Sequence, residues 1–277
     1  MVNVLSLKTF KNILFCKTTL TMKYVIIGDL HGADLSKLEV VLRKSPPDVL
    51  ICTGDFDQTK TIHQYMELVS KFLNAGKEVI TVPGNHDHAI YTNLDIYSGT
   101  LRKQGKTSQE LHNELMRDDV AKNFINQLLY SIDKRYTNHR VRIHLDEEKY
   151  KHTYQTMITH GGYEGDLSSY PDCPRKIKNL WVRLHTKEDH RKNFEVMARK
   201  GYNVMIRGHD HEASYVFQDP SLGIVMDVPY QNHTAFPLSI HRRHTITPGA
   251  LADGLYATIK TSIPGVLNPI LEFHTVK

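Results

Sequence analysis

Thiols, tryptophan and long apolar runs are all scarce in this chain of 277 residues. Its three cysteines, Cys16, Cys52 and Cys173, form no CxxC pair. That leaves no basis for a disulfide framework or a thiolate zinc site, and it fits a reducing compartment. No apolar run approaches the ~20 residues a membrane helix needs, so no membrane partner is expected. Lys8, Lys11 and Lys17 interrupt any apolar centre near the start, which makes this segment a poor secretory signal. The expected location is cytoplasmic. Acids are missing from residues 1–28 altogether. Residues 1–21 are therefore read as an extension outside the fold, either a targeting segment or the stretch before an internal start at Met22. A single domain is expected over 22–277.

What remains is a globular composition. Hydrophobic residues make up 40% and charged residues 23%, enough for both a core and a solvated surface. Lys plus Arg is 35 against 30 for Asp plus Glu. The resulting charge of +5 is compatible with an anionic substrate without demanding nucleic acid. The unusual count is 17 histidines, which suits metal chemistry or pH sensing.

Short apolar runs at Tyr24-Val25-Ile26-Ile27, Val49-Leu50-Ile51-Cys52 and Val79-Ile80-Thr81-Val82 read as buried strands. Between them, Leu35, Leu38, Val41 and Leu42, then Ile62, Tyr65, Met66, Val69, Phe72 and Leu73, recur at helical spacing. Strand, helix, strand, helix, strand is the pattern of a parallel sheet covered by helices. Residues 88–151 look like a helical insertion or cap, and substrate selectivity is expected from it. A strand resumes at Tyr154 to Thr159, a helix at 187–200 and a strand at Asn203 to Ile206. Tyr215-Val216-Phe217, Gly223 to Val228, Leu255 to Ile259 and Ile270 to His274 are expected to form a second sheet.

Five polar clusters follow the expected strands: Asp29-Leu30-His31, Gly54-Asp55, Gly84-Asn85-His86-Asp87, Thr159-His160-Gly161 and Gly208-His209-Asp210-His211. In open α/β sheets ligands sit beyond the carboxyl ends of strands, so clusters distant in sequence can converge. Their Asp, Asn and His side chains are oxygen and imidazole ligands suited to Mn, Fe, Zn or a similar divalent ion. One such cluster is an ordinary turn, whereas five in order are not.

In this order the clusters resemble the pattern of the calcineurin-like metallophosphoesterases, over Lys23 to His211. The resemblance implies an α/β fold, a four-layer αββα sandwich of two mixed sheets flanked by helices, with two divalent metal ions at one end. It implies Asp29, His31, Asp55 and His211 on one ion, and Asp55, Asn85, His160 and His209 on the other, Asp55 bridging. The implied activity is metal-dependent hydrolysis of phosphate esters, a metal-bound hydroxide attacking phosphorus. His86 is the catalytic candidate outside the ligand set: directly after Asn85, its side chain should diverge towards the leaving group. Asp87 is expected either to orient His86 or to cap the loop. Asp57, His63, His88 and Asp210 are read as polar neighbours.

The chain departs from Ser/Thr protein phosphatases of that family. Gly54-Asp55-Phe56-Asp57-Gln58-Thr59 lacks their Arg, and Asp87 stands where they carry Glu. The expected substrate is a phosphorylated small molecule or nucleotide. The alternatives are a nuclease or nucleotide phosphodiesterase acting on nucleic acid and, less favoured, a non-catalytic scaffold. Arg207 and the cluster His241-Arg242-Arg243-His244 are basic candidates for substrate phosphate, against a plain solvated role. Trp181, Tyr163 and Tyr170 are candidates for stacking on a base, against simple packing.

Overall fold

The computed structural model describes residues 22–95, 105–133, 139–144, 153–228, 234–261 and 268–276. The extension 1–21 lies outside the described residues. Strands β1 (Lys23–Ile27), β2 (Val49–Cys52) and β3 (Glu78–Thr81) run parallel, linked by helices α1 (Ser36–Lys44) and α2 (Thr59–Asn74). Helix α3 (Asn85–Thr92) starts just after β3, and α4 (Ser108–Arg117) and α5 (Asp119–Asp133) follow. β4 (His139–His144) pairs antiparallel with β5 (Thr153–Ile158). Next come α6 (Lys178–Trp181), α7 (Lys187–Lys200), β6 (Val204–Ile206), β7 (Ala213–Asp219), β8 (Ile224–Val228), β9 (Ala235–Pro237), β10 (Arg243–Pro248), β11 (Leu255–Lys260) and β12 (Ile270–Thr275).

The strands form two six-stranded mixed sheets, ordered β3-β2-β1-β11-β12-β9 and β4-β5-β6-β10-β7-β8. Period-two alternation assigns the faces. Tyr24, Ile26, Val49 and Ile51 meet Tyr154, Ile158, Val204, Ile206 and Ile246 in the core between the sheets. Val25, Ile27, Leu50 and Cys52 point the other way, onto Leu38, Leu42, Tyr65 and Leu68 of α1 and α2. On the outside of the second sheet, Met157, Met205 and Val216 pack on Phe194 and Met197 of α7. The layers are therefore α, β, β, α. No helix among the described residues is long and apolar enough to cross a membrane.

One expectation about the strands is corrected. β11 and β12 do not join the second sheet: β11 pairs antiparallel with β1, and β12 with β11, which completes the first sheet. The described part of 88–151 packs against the rest of the domain. Leu111, Leu115, Ala121 and Ile125 enter the same core as α1 and α2, while β4 is an edge strand of the second sheet.

Of the basic cluster at 241–244, His241 and Arg242 lie in the turn before β10, and Arg243 and His244 open the strand. His244 is wholly buried and stacked on Tyr215. Its Nδ1 accepts from the Tyr215 hydroxyl at 2.9 Å, and its Nε2–H donates to the Ser239 carbonyl at 2.8 Å. Burial pushes this imidazole down to about 4; Arg242 adds to that shift and the Ser239 carbonyl opposes it. The folded state thus keeps His244 neutral where an unfolded chain, with a pKa near 6.5, binds a proton. Between about pH 6.5 and 4 the unfolded state holds the extra proton, so stability falls as pH falls through that window. One such group contributes a slope of up to about 1.4 kcal/mol per pH unit. Thermal melts from pH 7 to 5 at equal metal loading should show a falling midpoint, and His244→Gln should flatten the slope.

Candidate metal centre

The parallel strands of both sheets end at the same edge of the molecule. β1 delivers Asp29 and His31 there, β2 delivers Asp55 and Asp57, and the β3–α3 junction delivers Asn85, His86 and Asp87. From the second sheet, β5 delivers His160, and β6 delivers His209 and His211. Asp29, His31, Asp55, Asp57, His209 and His211 all have positive φ, between 40° and 78°. The left-handed region is disfavoured for residues with a Cβ, at of order 1–3 kcal/mol each. Among described non-glycine residues only Asn93, at the end of α3, shares it. Backbone strain in this molecule is therefore concentrated at one place.

Glycine allows the close approach. A Cβ on Gly84 would lie 1.9 Å from Asp55 Oδ1, and one on Gly54, at φ +94°, would lie 2.3 Å from the Gly84 nitrogen. A side chain at Gly84 would displace Asp55, and one at Gly54 would push on the Pro83–Gly84 backbone.

Three groups of side chains bring potential ligand atoms within 4.8 Å of one another. One is Asp29, His31, Asp55 and His211; a second is Asp55, His160 and His209; a third is His31, Asp57 and His86. Asp55 belongs to the first two. Its Oδ1 accepts from the His86 amide at 2.9 Å. Its Oδ2 lies 3.2 Å from His160 Nε2 and 3.6 Å from His31 Nε2, yet is buried without a hydrogen bond. Asn85 Oδ1 is 2.8 Å from His160 Nε2, so the amide belongs beside the second group.

The imidazoles are anchored through their outer nitrogens. His31 Nδ1–H donates to Asp57 Oδ2 at 2.8 Å, His160 Nδ1–H to the Thr53 carbonyl at 2.6 Å, and His209 Nε2–H to the Trp181 carbonyl at 3.1 Å. Each therefore turns its other nitrogen inward, the usual arrangement of a metal-binding histidine. The Asp29 carboxylate accepts from the His209 amide through both oxygens, at 2.9 and 3.1 Å.

The electrostatics favour positive charge at this place. Burial works against charge on His31 and His160, but the surrounding carboxylates prevail. Asp57, Asp55 and Asp29 raise His31 to about 10, and Asp55 and Asp29, with the Thr53 carbonyl, raise His160 to about 9. Burial would likewise raise Asp55, yet His160, His86 and His31 hold it well below the usual carboxylate range. Burial, His160 and Arg183 push His209 down, and burial does most to lower His211, leaving neutral imidazoles. The donor set fits divalent cations: nitrogen and oxygen ligands, no thiolate, and a buried carboxylate oxygen without a hydrogen bond.

Residues 22–213 match the family model of the calcineurin-like phosphoesterases, more than half of the chain. The chain belongs to that family. It is a metallophosphoesterase with buried Asp and His clusters suited to metal. Among solved structures it is similar to a metallophosphoesterase from Sphaerobacter thermophilus, at 19% identity and a TM-score of 0.60, covering 93% of this chain and 89% of that one. A hypothetical protein from Pyrococcus horikoshii OT3 matches at 8% identity and a TM-score of 0.52, over 92% and 88% of the two chains. At these identities the likeness shows a shared fold. No curated protein matches.

Within this phosphoesterase the carboxylate facing His86 is Asp57, not Asp87. Asp57 Oδ1 is 2.9 Å from His86 Nδ1, while its Oδ2 holds His31. Asp87 turns to the backbone instead. It accepts from Gly84 N at 2.8 Å, Asp55 N at 3.0 Å and Phe56 N at 2.9 Å, which ties the second cluster to the third. Burial and the neighbouring Asp55 raise its carboxyl to about 7. The physical reason is direction: at the third position of α3 an acidic side chain folds back onto the helix start. The Asp-x-Asp spacing from Asp55 was the one signal in the sequence for Asp57.

Arg207, Arg242, Arg243 and Trp181 are buried or distant from the centre. Arg207 is wholly buried and ion-paired with Asp210, spanning the loop that carries His209. Arg242 and Arg243 lie at the opposite end of the second sheet, because β10 runs parallel to β6 and only its far end approaches the centre. Trp181 is 2% exposed and packed against Tyr170.

Proposed function

We propose that this metallophosphoesterase hydrolyses phosphate esters at a centre of two divalent ions. Asp29, His31, Asp55 and His211 would hold one; Asp55, Asn85, His160 and His209 would hold the other. The observation that carries the reading is Asp55, shared by two ligand groups, with an oxygen poised between imidazoles from both sheets. A shared carboxylate offsets charge on two neighbouring cations. When bound, such ions supply Lewis-acid chemistry to the phosphoryl group and to water. Nitrogen and oxygen donors suit Mn, Fe or Zn, with Mn the first to test.

The remaining steps belong to the chain. His86 is not needed as a ligand. With Nδ1 held by Asp57, its Nε2 is left to face the ester and deliver a proton to the departing oxygen. Asp57 stabilises the imidazolium and fixes its orientation, as a carboxylate does for histidine in other hydrolases. The same carboxylate orients His31, so ligand and acid share one support. Access is at His211, whose side chain is 30% exposed while those of Asp29, Asp55 and His160 are 1% or less.

The test is hydrolysis of p-nitrophenyl phosphate and bis(p-nitrophenyl) phosphate by Mn-loaded protein. Preference for the monoester supports a phosphatase of small phosphorylated molecules or nucleotides. Preference for the diester supports a phosphodiesterase or nuclease. Failure on both esters with two ions bound leaves a very selective enzyme or a scaffold.

A further inference from the structure

A second concave site lies behind α6. It is a cavity of about 570 Å³ lined by Arg175, Lys176 and Lys178 before and within α6, by Tyr163 and Glu164 after His160, and by Arg199 and Lys200 in the last turn of α7. Among the described residues its lining carries five cations and one carboxylate, and that carboxylate is already engaged, Glu164 Oε2 lying 2.9 Å from Lys178 Nζ. Neither Arg175 nor Arg199 has a carboxylate at ion-pair distance among the described residues. Lys200 Nζ sits over the Tyr163 ring at 5.2 Å, which holds a charge beside the cavity.

A concave surface lined by one sign of charge focuses its field and concentrates counter-ions. Guanidinium groups offer paired N–H donors that match phosphate oxygens. The volume falls within the range of small-molecule sites and exceeds what a single phosphate fills.

The cavity shares a wall with the metal centre. The Asn179 carbonyl accepts from the Gly161 amide at 2.8 Å, one residue beyond His160, and the Trp181 carbonyl holds His209. Asn179 and Trp181 belong to one short helix, α6. A ligand packed behind that helix is thus one layer away from two of the inward-facing imidazoles.

We propose that this cavity binds an oligophosphate group, either the far end of a multiply phosphorylated substrate or a separate phosphorylated effector. The phosphoesterase reading matters only for the choice between those sources, because binding requires no turnover.

Trp181 is the only tryptophan, so its fluorescence reports on α6. Inorganic tripolyphosphate titrated into the metal-loaded protein at low ionic strength should give a saturable signal. Arg175→Gln with Arg199→Gln should weaken binding at least about tenfold, since each lost charge-assisted contact is substantial. Lys37→Gln with Lys44→Gln, away from the cavity, should leave it unchanged. Equal affinity in the arginine variant, equal loss in the lysine control or no saturable binding would overturn the site. Hydrolysis of tripolyphosphate with a KM raised in the arginine variant identifies a substrate leg. A change in p-nitrophenyl phosphate turnover that tripolyphosphate causes in the wild type but not in the variant identifies an effector.

Discussion

Replacing Asp55 by alanine is expected to empty both metal positions together and to lower turnover by roughly 10³-fold or more. The expectation follows from sharing. Asp55 stands in two of the three ligand groups, with Oδ2 between His160 Nε2 and His31 Nε2. Without it, the second position keeps only neutral ligands and the first keeps Asp29 as its one carboxylate, around two cations that repel one another. Both positions lose the carboxylate they share, so metal content should fall by both ions instead of one. His211→Ala should behave differently, costing mainly the ion on its own side, because His211 belongs to a single group. The check is metal quantification of both variants after desalting, with circular dichroism to show retained fold. Asp55→Ala with one ion still bound would mean the two positions are independent.

The second large effect concerns His86. His86→Gln should lower kcat on phenyl phosphate by about 10²–10⁴-fold while metal content stays at the wild-type level. The loss should be smaller on p-nitrophenyl phosphate, because nitrophenolate departs readily without a proton. That difference separates proton delivery from a merely structural role, which would reduce both esters alike. Asp57→Asn should move both readouts. Its Oδ1 faces His86 and its Oδ2 holds His31, so turnover and metal affinity should each fall, by about 10–100-fold for affinity. Metal loss in His86→Gln, or equal loss on both esters, would contradict the division of labour between His86 and the ligand groups.

Much of this centre was legible in the sequence, for a physical reason. Parallel strands buried on both faces read as continuous apolar runs, and their polar ends stand out against them. Asp29, His31, Asp55, Asn85, His160, His209 and His211 follow such runs, and the fold brings them to one edge. Asp57 was legible only as a neighbour, because residue order does not say which carboxylate meets an imidazole. That depends on the left-handed turns at Asp55 and Asp57 and on Asp87 folding back onto α3. β11 and β12 were legible as strands, but alternation specifies a face and not a partner, so their place beside β1 had to come from the structure. The charged start of β10 hid a buried strand behind Arg242 and Arg243. The cavity behind α6 draws cations from segments separated by some twenty residues, which no local pattern connects.

Hydrolysis is expected to depend on a dinuclear site. The direct measurement is metal per chain, by mass spectrometry of the Mn-loaded and desalted protein, paired with turnover before chelation, after it and after reloading. Two ions per chain, with activity lost on chelation and restored by Mn, is the predicted result. An active protein that holds no metal, or turnover indifferent to its removal, would contradict it.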